Sequence, residues 1–371
     1  MGKQLKVAII GTGFGQQVHI PAFNEHPRTR VVAVYNRSLE VARQIAAKHN
    51  IPYAFDDIEA ICGCPEVDIV SIATPPFLRY EIAKTALHHD KHLFLEKPVN
   101  LNAYETREIY HIANSKGKAA VVDFEFRFVP HWQLLHQYLE MGYVGDIRMV
   151  KVDWLVPSRA NPQRPWDWYS VKEKGGGVLG AIGSHAFDYI YWLFGEIATI
   201  SAYLGNAIKK RPNPLANNQY KPVTADDICL ITLELKSGTP VQINLSSVTY
   251  QGRGHWVEIY GDKGTLVLGS SNLKDYIHGF KLFASQNNQP LTEIPLPPSL
   301  AFSKTYEDGR IAPVIKVIDQ LVKNIDNHQS FPPTLKEGVY SQLLMDLTHQ
   351  SHNQKARLKV PSLEDFLSGR E

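Results

Sequence analysis

The segment Gly11-Thr-Gly13-Phe14-Gly15-Gln16 stands between an apolar run (7–10) and a helical pattern (15–25), the context in which glycines cradle a pyrophosphate. The first glycine allows the tight turn, and the second lets backbone amides approach phosphates at the helix N-terminus. The third slot, ordinarily glycine or alanine, is Gln16, with Gly15 beside it to relieve the crowding. Pro21 lies inside the helical pattern and removes a backbone donor, so a kink is expected there. Twenty-one residues after Gly15, where an acidic residue would hold a ribose 2′-hydroxyl, the chain reads Tyr35-Asn36-Arg37-Ser38. Asn36 has no charge to repel a 2′-phosphate, and Arg37 and Ser38 can donate to one; a planar guanidinium suits two phosphate oxygens at once. The pattern favours NADP(H), with NAD(H) as the alternative. Three more clusters fall where strands of a parallel sheet would end: Ala73-Thr74-Pro75-Pro76, Leu95-Glu96-Lys97-Pro98, and GGGVLGAIGSHAFD (175–188), which carries His185 and Asp188. Ligands of open α/β sheets bind outside the carboxyl ends of the strands. Thr74, Pro75, Glu96, Lys97 and Pro98 are therefore expected at the cofactor crevice.

A substrate rim is expected from RANPQRPWDWY (159–169), because the faces of Trp166, Trp168 and Tyr169 can stack on sugar rings while polar neighbours bind hydroxyls. The same indoles would equally fill a core. FEFRFVP (124–130) follows the last parallel strand and is expected to shape the interdomain cleft. Its Arg127 either faces substrate or pairs with Glu125 or Asp123. Arg79 opens the helix after ATPP, and its guanidinium suits either a carboxylated or phosphorylated substrate or plain solvent.

These residues need elements to hold them. Up to about residue 123, apolar runs (7–10, 31–35, 67–73, 92–95, 119–122) alternate with helical patterns (15–25, 40–49, 79–88, 103–115). That is the mark of a parallel sheet covered by helices. Beyond it come a helix at 131–142, a strand at 148–155 and a helix at 183–194. Period-two strands follow at 197–203, 228–235, 240–247, 255–260 and 264–268, with helices at 312–324 and 335–352. Thr334-Leu-Lys-Glu337 is a capping box for the last helix, whose Tyr340, Leu343, Leu344 and Leu347 mark one buried face. The fold class is α/β: a dinucleotide-binding domain over 1–123, then an α+β domain over 124–371 with a largely antiparallel sheet.

Composition narrows the function. Thirty-nine Lys+Arg against 37 Asp+Glu, a net charge of +2, give no electrostatic footprint for nucleic acid or an anionic membrane. No apolar run approaches the ~18 residues of a membrane span. The apolar strand pattern begins within MGKQLKVAII, leaving no room for a signal peptide. Cys62, Cys64 and Cys229 cannot form a disulfide framework and lack zinc-ligand spacing, so no metal is expected. A cytoplasmic, reducing compartment is expected.

GTGFG near the start, ATPP after the fourth strand, EKP after the fifth and GGGxLxxxGxHxxD in the second domain together resemble the Gfo/Idh/MocA oxidoreductase family, which includes glucose–fructose oxidoreductase and inositol dehydrogenase. The resemblance implies a Rossmann domain, then a domain whose open, mostly antiparallel sheet forms a homo-oligomer contact. It places Lys97 by the nicotinamide, binding or deprotonating the hydroxyl being oxidised, and the peptide bond before Pro98 in the cis form. It also implies an Asp four residues before the motif histidine, where this chain has Ala181, and a His where it has Arg79. Physical chemistry supports Lys97 independently. Oxidising a secondary alcohol needs a base for the hydroxyl proton, and burial beside a nicotinamide cation would draw a lysine towards neutrality. His185, without that Asp, is expected to orient the substrate hydroxyl. The expected activity is hydride transfer between NAD(P) and a secondary hydroxyl or ketone of a sugar, cyclitol or related polyol. Two alternatives remain: glycoside cleavage by transient oxidation and elimination with retained cofactor, and a non-catalytic cofactor-sensing regulator, since certain fungal repressors share the architecture.

Overall fold

The computed structural model describes residues 2–273, 275 and 277–370. The chain divides into two compact units, one of Met1–Glu125 with Lys304–Gln342 and one of Phe126–Ser303 with Leu343–Glu371. The first cut lies two residues beyond the 1–123 reading, and Lys304–Gln342 returns to the first unit instead of staying with 124–371.

The first unit begins β1 (Leu5–Ile10), α1 (Ile20–Glu25), β2 (Thr29–Tyr35), α2 (Leu39–His49), β3 (Tyr53–Phe55), α3 (Ile58–Gly63), β4 (Ile69–Ile72), α4 (Arg79–His88), β5 (His92–Leu95), α5 (Ala103–Ser115) and β6 (Ala120–Val122). Among the described residues its strands form a six-stranded parallel sheet in the order β3-β2-β1-β4-β5-β6. β4 is buried at every position, because helices cover both faces of the sheet. Helix starts are set by side-chain caps: the hydroxyl of Ser38 accepts from Val41 N–H and the Asn102 side chain from Glu105 N–H.

The second unit contains α6 (Pro130–Glu140), β7 (Ile147–Leu155), α7 (Ser184–Phe194), β8 (Ile197–Gly205), β9 (Lys210–Asn213), β10 (Gln219–Pro222), β11 (Ile228–Leu235), β12 (Pro240–Ser246), β13 (Gly254–Gly261), β14 (Gly264–Ser270), β15 (Lys281–Gln286) and β16 (Thr292–Ile294). After α8 (Ile311–Asn327) and α9 (Leu335–Gln354), the chain ends with β17 (Leu358–Lys359) and α10 (Leu363–Ser368). Among the described residues, nine strands form one sheet in the order β16-β15-β14-β13-β7-β12-β11-β8-β17, with only β7 and β12 parallel. Along β11 the side chains alternate: Cys229, Ile231, Leu233 and Leu235 are buried, while Leu230 and Thr232 are exposed, so one face meets the core and the other stays open. β9 and β10 form a separate antiparallel ribbon that sequence periodicity does not mark.

α8 buries Val314, Val317, Ile318 and Leu321 and packs on α1. Two contacts tie it to the segment ahead of β2: His26 Nε2 lies 3.0 Å from Asp319 Oδ1, and Arg28 Nη1 forms an ion pair with Asp326 Oδ2 at 2.9 Å. The capping box at α9 forms as expected, Thr334 N–H donating to Glu337 Oε2 at 2.7 Å. α9 buries more than the one expected face, since Val339, Ser341, Gln342, Thr348 and Ser351 are buried while Leu347 is half-buried. Among the described residues no helix is long and apolar enough to cross a membrane.

Candidate active site

In the first unit the glycine loop leaves β1 and bends at Gly11, whose φ is +108°. A Cβ there would lie 2.5 Å from Ala73 C and 2.7 Å from Thr74 N, so the loop presses on the end of β4 and only glycine fits. A Cβ at Gly13 would meet nothing within 4 Å, leaving that backbone open to a ligand. The helix behind the loop is irregular ahead of Pro21. Gly15–His19 form a π-turn in which Ile20 N–H donates to Gly15 O, and α1 starts after it with Pro21 in its first turn. The wider turn accommodates the donor that proline lacks, a feature common at functional sites. Gln16 lies against His49, its Nε2 3.3 Å from the ring Nε2, and Phe14 lies under the Arg310 guanidinium at 4.8 Å.

At the end of β2, Asn36 Nδ2 donates to Thr12 Oγ1 at 2.7 Å and its Oδ1 accepts from Ser38 N–H at 3.0 Å. Arg37 and Ser38 are exposed. At the end of β4, Thr74 is buried and its Oγ1 has no hydrogen-bond partner in the protein. Pro75 is half-buried.

Arg79 faces neither a substrate-sized opening nor solvent. It is 5% exposed; its Nε donates to Thr74 O at 2.6 Å and its Nη1 to the carbonyls of Glu96 and Pro98. The guanidinium thus ties the loop after β4 to the loop after β5, because three main-chain carbonyls there would otherwise be buried without donors. Lys97 is half-buried between those two bonded carbonyls, and its peptide bond to Pro98 is cis, as the resemblance implies.

Glu96 turns its carboxylate inwards. Its Oε1 lies 3.2 Å from Nε2 of His19, the last residue of the π-turn, and Asp123 Oδ2 lies 3.4 Å from the same nitrogen. His19 Nδ1 meets Ser71 Oγ at 2.8 Å. Burial would lower the imidazole pKa, but the hydrogen bonds to Asp123 and Glu96 outweigh it and lift it to about 9. Burial would raise Glu96; the His19 hydrogen bond and the Lys97 and Arg79 charges hold it down at about 2. Asp123 moves the other way, pushed up by burial and by Glu96, and Glu125 is raised by burial with Asp123 close by. One ligand atom from each of His19, Glu96 and Asp123 lies within 4.8 Å of the others, close enough to grip a small cation. The imidazolium already supplies a positive charge there. Sequence spacing gives no hint of this cluster: its members are 77 and 27 residues apart, on three different elements.

In the second unit His185 is buried on α7, with its ring edge-on to Phe126 at 4.9 Å and tilted to Trp154 at 6.2 Å. A π-turn, Leu179–Gly183, precedes that helix. Asp188 is bonded to Arg127. Its oxygens accept from Arg127, at 2.9 Å from Nε and 2.6 Å from Nη2, and both residues are buried. Arg127 therefore pairs with Asp188, a partner that the sequence did not suggest. The glycine run is gripped from outside: Asp226 Oδ2 accepts from Leu179 N–H at 2.8 Å, and a Cβ on Gly177 (φ +111°) would lie 2.5 Å from Asp226 Oδ1.

The expected rim separates into two groups. Arg159 lies over the Tyr169 ring at 3.4 Å and pairs with Asp167, which accepts from Tyr169 N–H. Trp168 stands edge-on to Tyr169. Trp166 instead holds the β9–β10 ribbon, donating from Nε1 to Pro222 O at 2.9 Å under the Lys221 ammonium.

A parallel sheet with a glycine loop at its carboxyl edge, followed by an open mixed sheet, is the architecture of a two-domain dinucleotide-binding protein. Two family models match: "Oxidoreductase family, NAD-binding Rossmann fold" over residues 5–124 and "Oxidoreductase family, C-terminal alpha/beta domain" over residues 137–360. The chain belongs to this family, Gfo/Idh/MocA, and is an NAD(P)-dependent dehydrogenase. It is 51% identical to an uncharacterized oxidoreductase of Synechocystis sp. over 98% of both chains. It is 27% identical to levoglucosan dehydrogenase of Pseudarthrobacter phenanthrenivorans over 71% of this chain and 73% of that one. A solved structure of levoglucosan dehydrogenase with NADH and levoglucosan has the same fold, with a TM-score of 0.86 at 24% identity, covering 97% of this chain and all of the other.

Proposed function

We propose that the protein transfers a hydride between NADP(H) and a secondary hydroxyl or ketone of a sugar, cyclitol or related polyol. The observation that carries this reading is the position of Lys97 at the carboxyl end of β5, beside the glycine loop's neighbour β4, in a turn held by Arg79. The cofactor would lie along Gly11–Gln16, with Thr74, Pro75, Glu96, Lys97 and Pro98 at its nicotinamide end, and would accept or return the hydride. Lys97 takes the hydroxyl proton in oxidation and donates it to the carbonyl in reduction. His185 orients the substrate, with Trp168 and Tyr169 at the rim. Relatives that act on levoglucosan and inositol support a polyol substrate. An exposed Arg37 and the absence of an acidic residue at 36 support NADP, and the Leu230, Tyr203 and Met149 side chains on the open sheet support self-association there. The test is a polyol and keto-sugar screen followed by NADPH absorbance. Lys97→Ala should lower kcat on the order of a hundredfold or more; a change confined to KM would reject Lys97 as the proton carrier.

A further inference from the structure

His19, Glu96 and Asp123 form a closed polar cluster that hydride transfer does not itself require. The imidazole is 0% exposed and Asp123 is 0% exposed. Phe14 and Phe94 present ring edges to the imidazole at 5.3 and 5.0 Å, so it cannot swing away. Its two nitrogens join four pieces of the sheet's carboxyl edge. Nδ1 meets Ser71 on β4; Nε2 meets Glu96 just after β5 and Asp123 just after β6; the ring itself stands on the π-turn behind the glycine loop. Glu96 is the residue before Lys97. Arg79 holds the same turn from the opposite side by its carbonyls.

We infer that His19 is a positioning residue: it anchors the Glu96 side chain and so fixes Lys97 at a set height relative to the phosphate loop. The inference rests on the reading of Lys97 as the proton carrier. One ring links the glycine loop that would hold the phosphates to the turn that presents the amine. Paired carboxylates repel when both are ionised and buried, and a cation between them removes that repulsion. Without the imidazole, Glu96 loses the hydrogen bond that ties it to the π-turn, and the Lys97 turn loses that anchor.

Local opening of this turn can be read on Lys97 itself, with no need to know the substrate. The probe is reductive methylation by formaldehyde and dimethylamine-borane, followed residue by residue by mass spectrometry on the full chain with and without NADPH. His19→Phe keeps the ring contacts and removes both polar ones. It should raise the rate at Lys97 about tenfold, a change in local opening rather than in the whole fold. His19→Gln restores one donor and should recover part of the protection. Lys91, 9% exposed and bonded to the carbonyls of Cys64 and Val67, reports on the unit as a whole and should not change. Should His19→Phe not fold, Glu96→Gln tests the same link and should raise Lys97 reactivity severalfold. An unchanged Lys97 rate overturns the inference, as does an equal rise at Lys91. A stoichiometric divalent metal in the purified protein also overturns it, because the three side chains would then be gripping an ion. Loss of turnover in Lys97→Ala with unchanged methylation in His19→Phe sinks this inference alone; the reverse pair of results sinks only the proton-carrier reading.

Discussion

Gly11 and Gly13 sit two residues apart in one loop, and the structure assigns them different work. Gly11→Ala must hold an L side chain at φ +108° and place a methyl 2.5 Å from Ala73 C and 2.6 Å from Ala73 O. The backbone strain costs about 1–3 kcal/mol and forcing β1 and β4 apart another 1–3. A loss of about 2–6 kcal/mol is therefore expected, a large share of the ~5–15 kcal/mol that ordinarily holds a domain folded. Gly13→Ala has an ordinary φ and open space around its methyl, so its stability should stay level or rise by about 0.4–1 kcal/mol. That methyl would stand where backbone amides must approach a pyrophosphate, so cofactor affinity should fall about tenfold or more. Urea unfolding followed by tryptophan fluorescence, and titration with NADPH and NADH on the same samples, separate the two effects. A Gly13→Ala protein that binds cofactor like the wild type, or a Gly11→Ala protein that unfolds at the wild-type urea concentration, would refute the assignment.

Arg127→Ala leaves the buried Asp188 carboxylate without its partner and should cost about 3–5 kcal/mol in urea unfolding. Arg127→Met combined with Asp188→Leu should restore most of that loss, and a single-variant cost below about 1 kcal/mol would contradict a buried pair. His19 is raised from 6.5 to about 9, so the folded chain binds its proton more tightly than the unfolded chain does. That stabilisation is complete below pH 6.5 and is lost as pH rises to about 9, on the order of 3 kcal/mol. Unfolding midpoints between pH 6.5 and 9 should fall in the wild type and less in His19→Gln; parallel curves would reject a charged imidazole. Arg37→Ala should raise KM for NADPH about tenfold and leave KM for NADH level; an equal change for both cofactors would remove Arg37 from the 2′-phosphate.

Strands β1, β2, β4, β5 and β6 were legible because burial on both faces makes each a continuous apolar run, and the motifs at their ends were legible with them. The β9–β10 ribbon was not, since Lys210–Asn213 and Gln219–Pro222 are too short and polar to carry a period. Nor was the return of α8 to the first unit: Val314, Val317, Ile318 and Leu321 announce a buried face but not the element that covers it. Lys97 and His185 were singled out by the EKP and glycine-rich motifs that resemble the family's, with the chemistry of a lysine base in support. The partners that define the chemistry were not. Arg79 suggested an anion or solvent, yet its donors end on main-chain carbonyls, which no side-chain pattern records. Glu96 suggested an outward cofactor contact, and only the fold brings it to a histidine 77 residues away. Pro21 signalled an irregular helix correctly; that the irregularity widens a turn ahead of the proline depends on which donors the neighbouring residues retain.

The chain passes between its two units three times, after Glu125, Ser303 and Gln342. A nascent polypeptide released at Glu125 would carry the whole six-stranded sheet yet leave bare the flank of α1 that α8 later covers. The nucleotide-binding half thus finishes folding only after the ribosome has made nearly everything else. Cleavage after Glu125 would split the first unit into two polypeptides, the six-stranded sheet on one and α8 on the other, held together by packing alone.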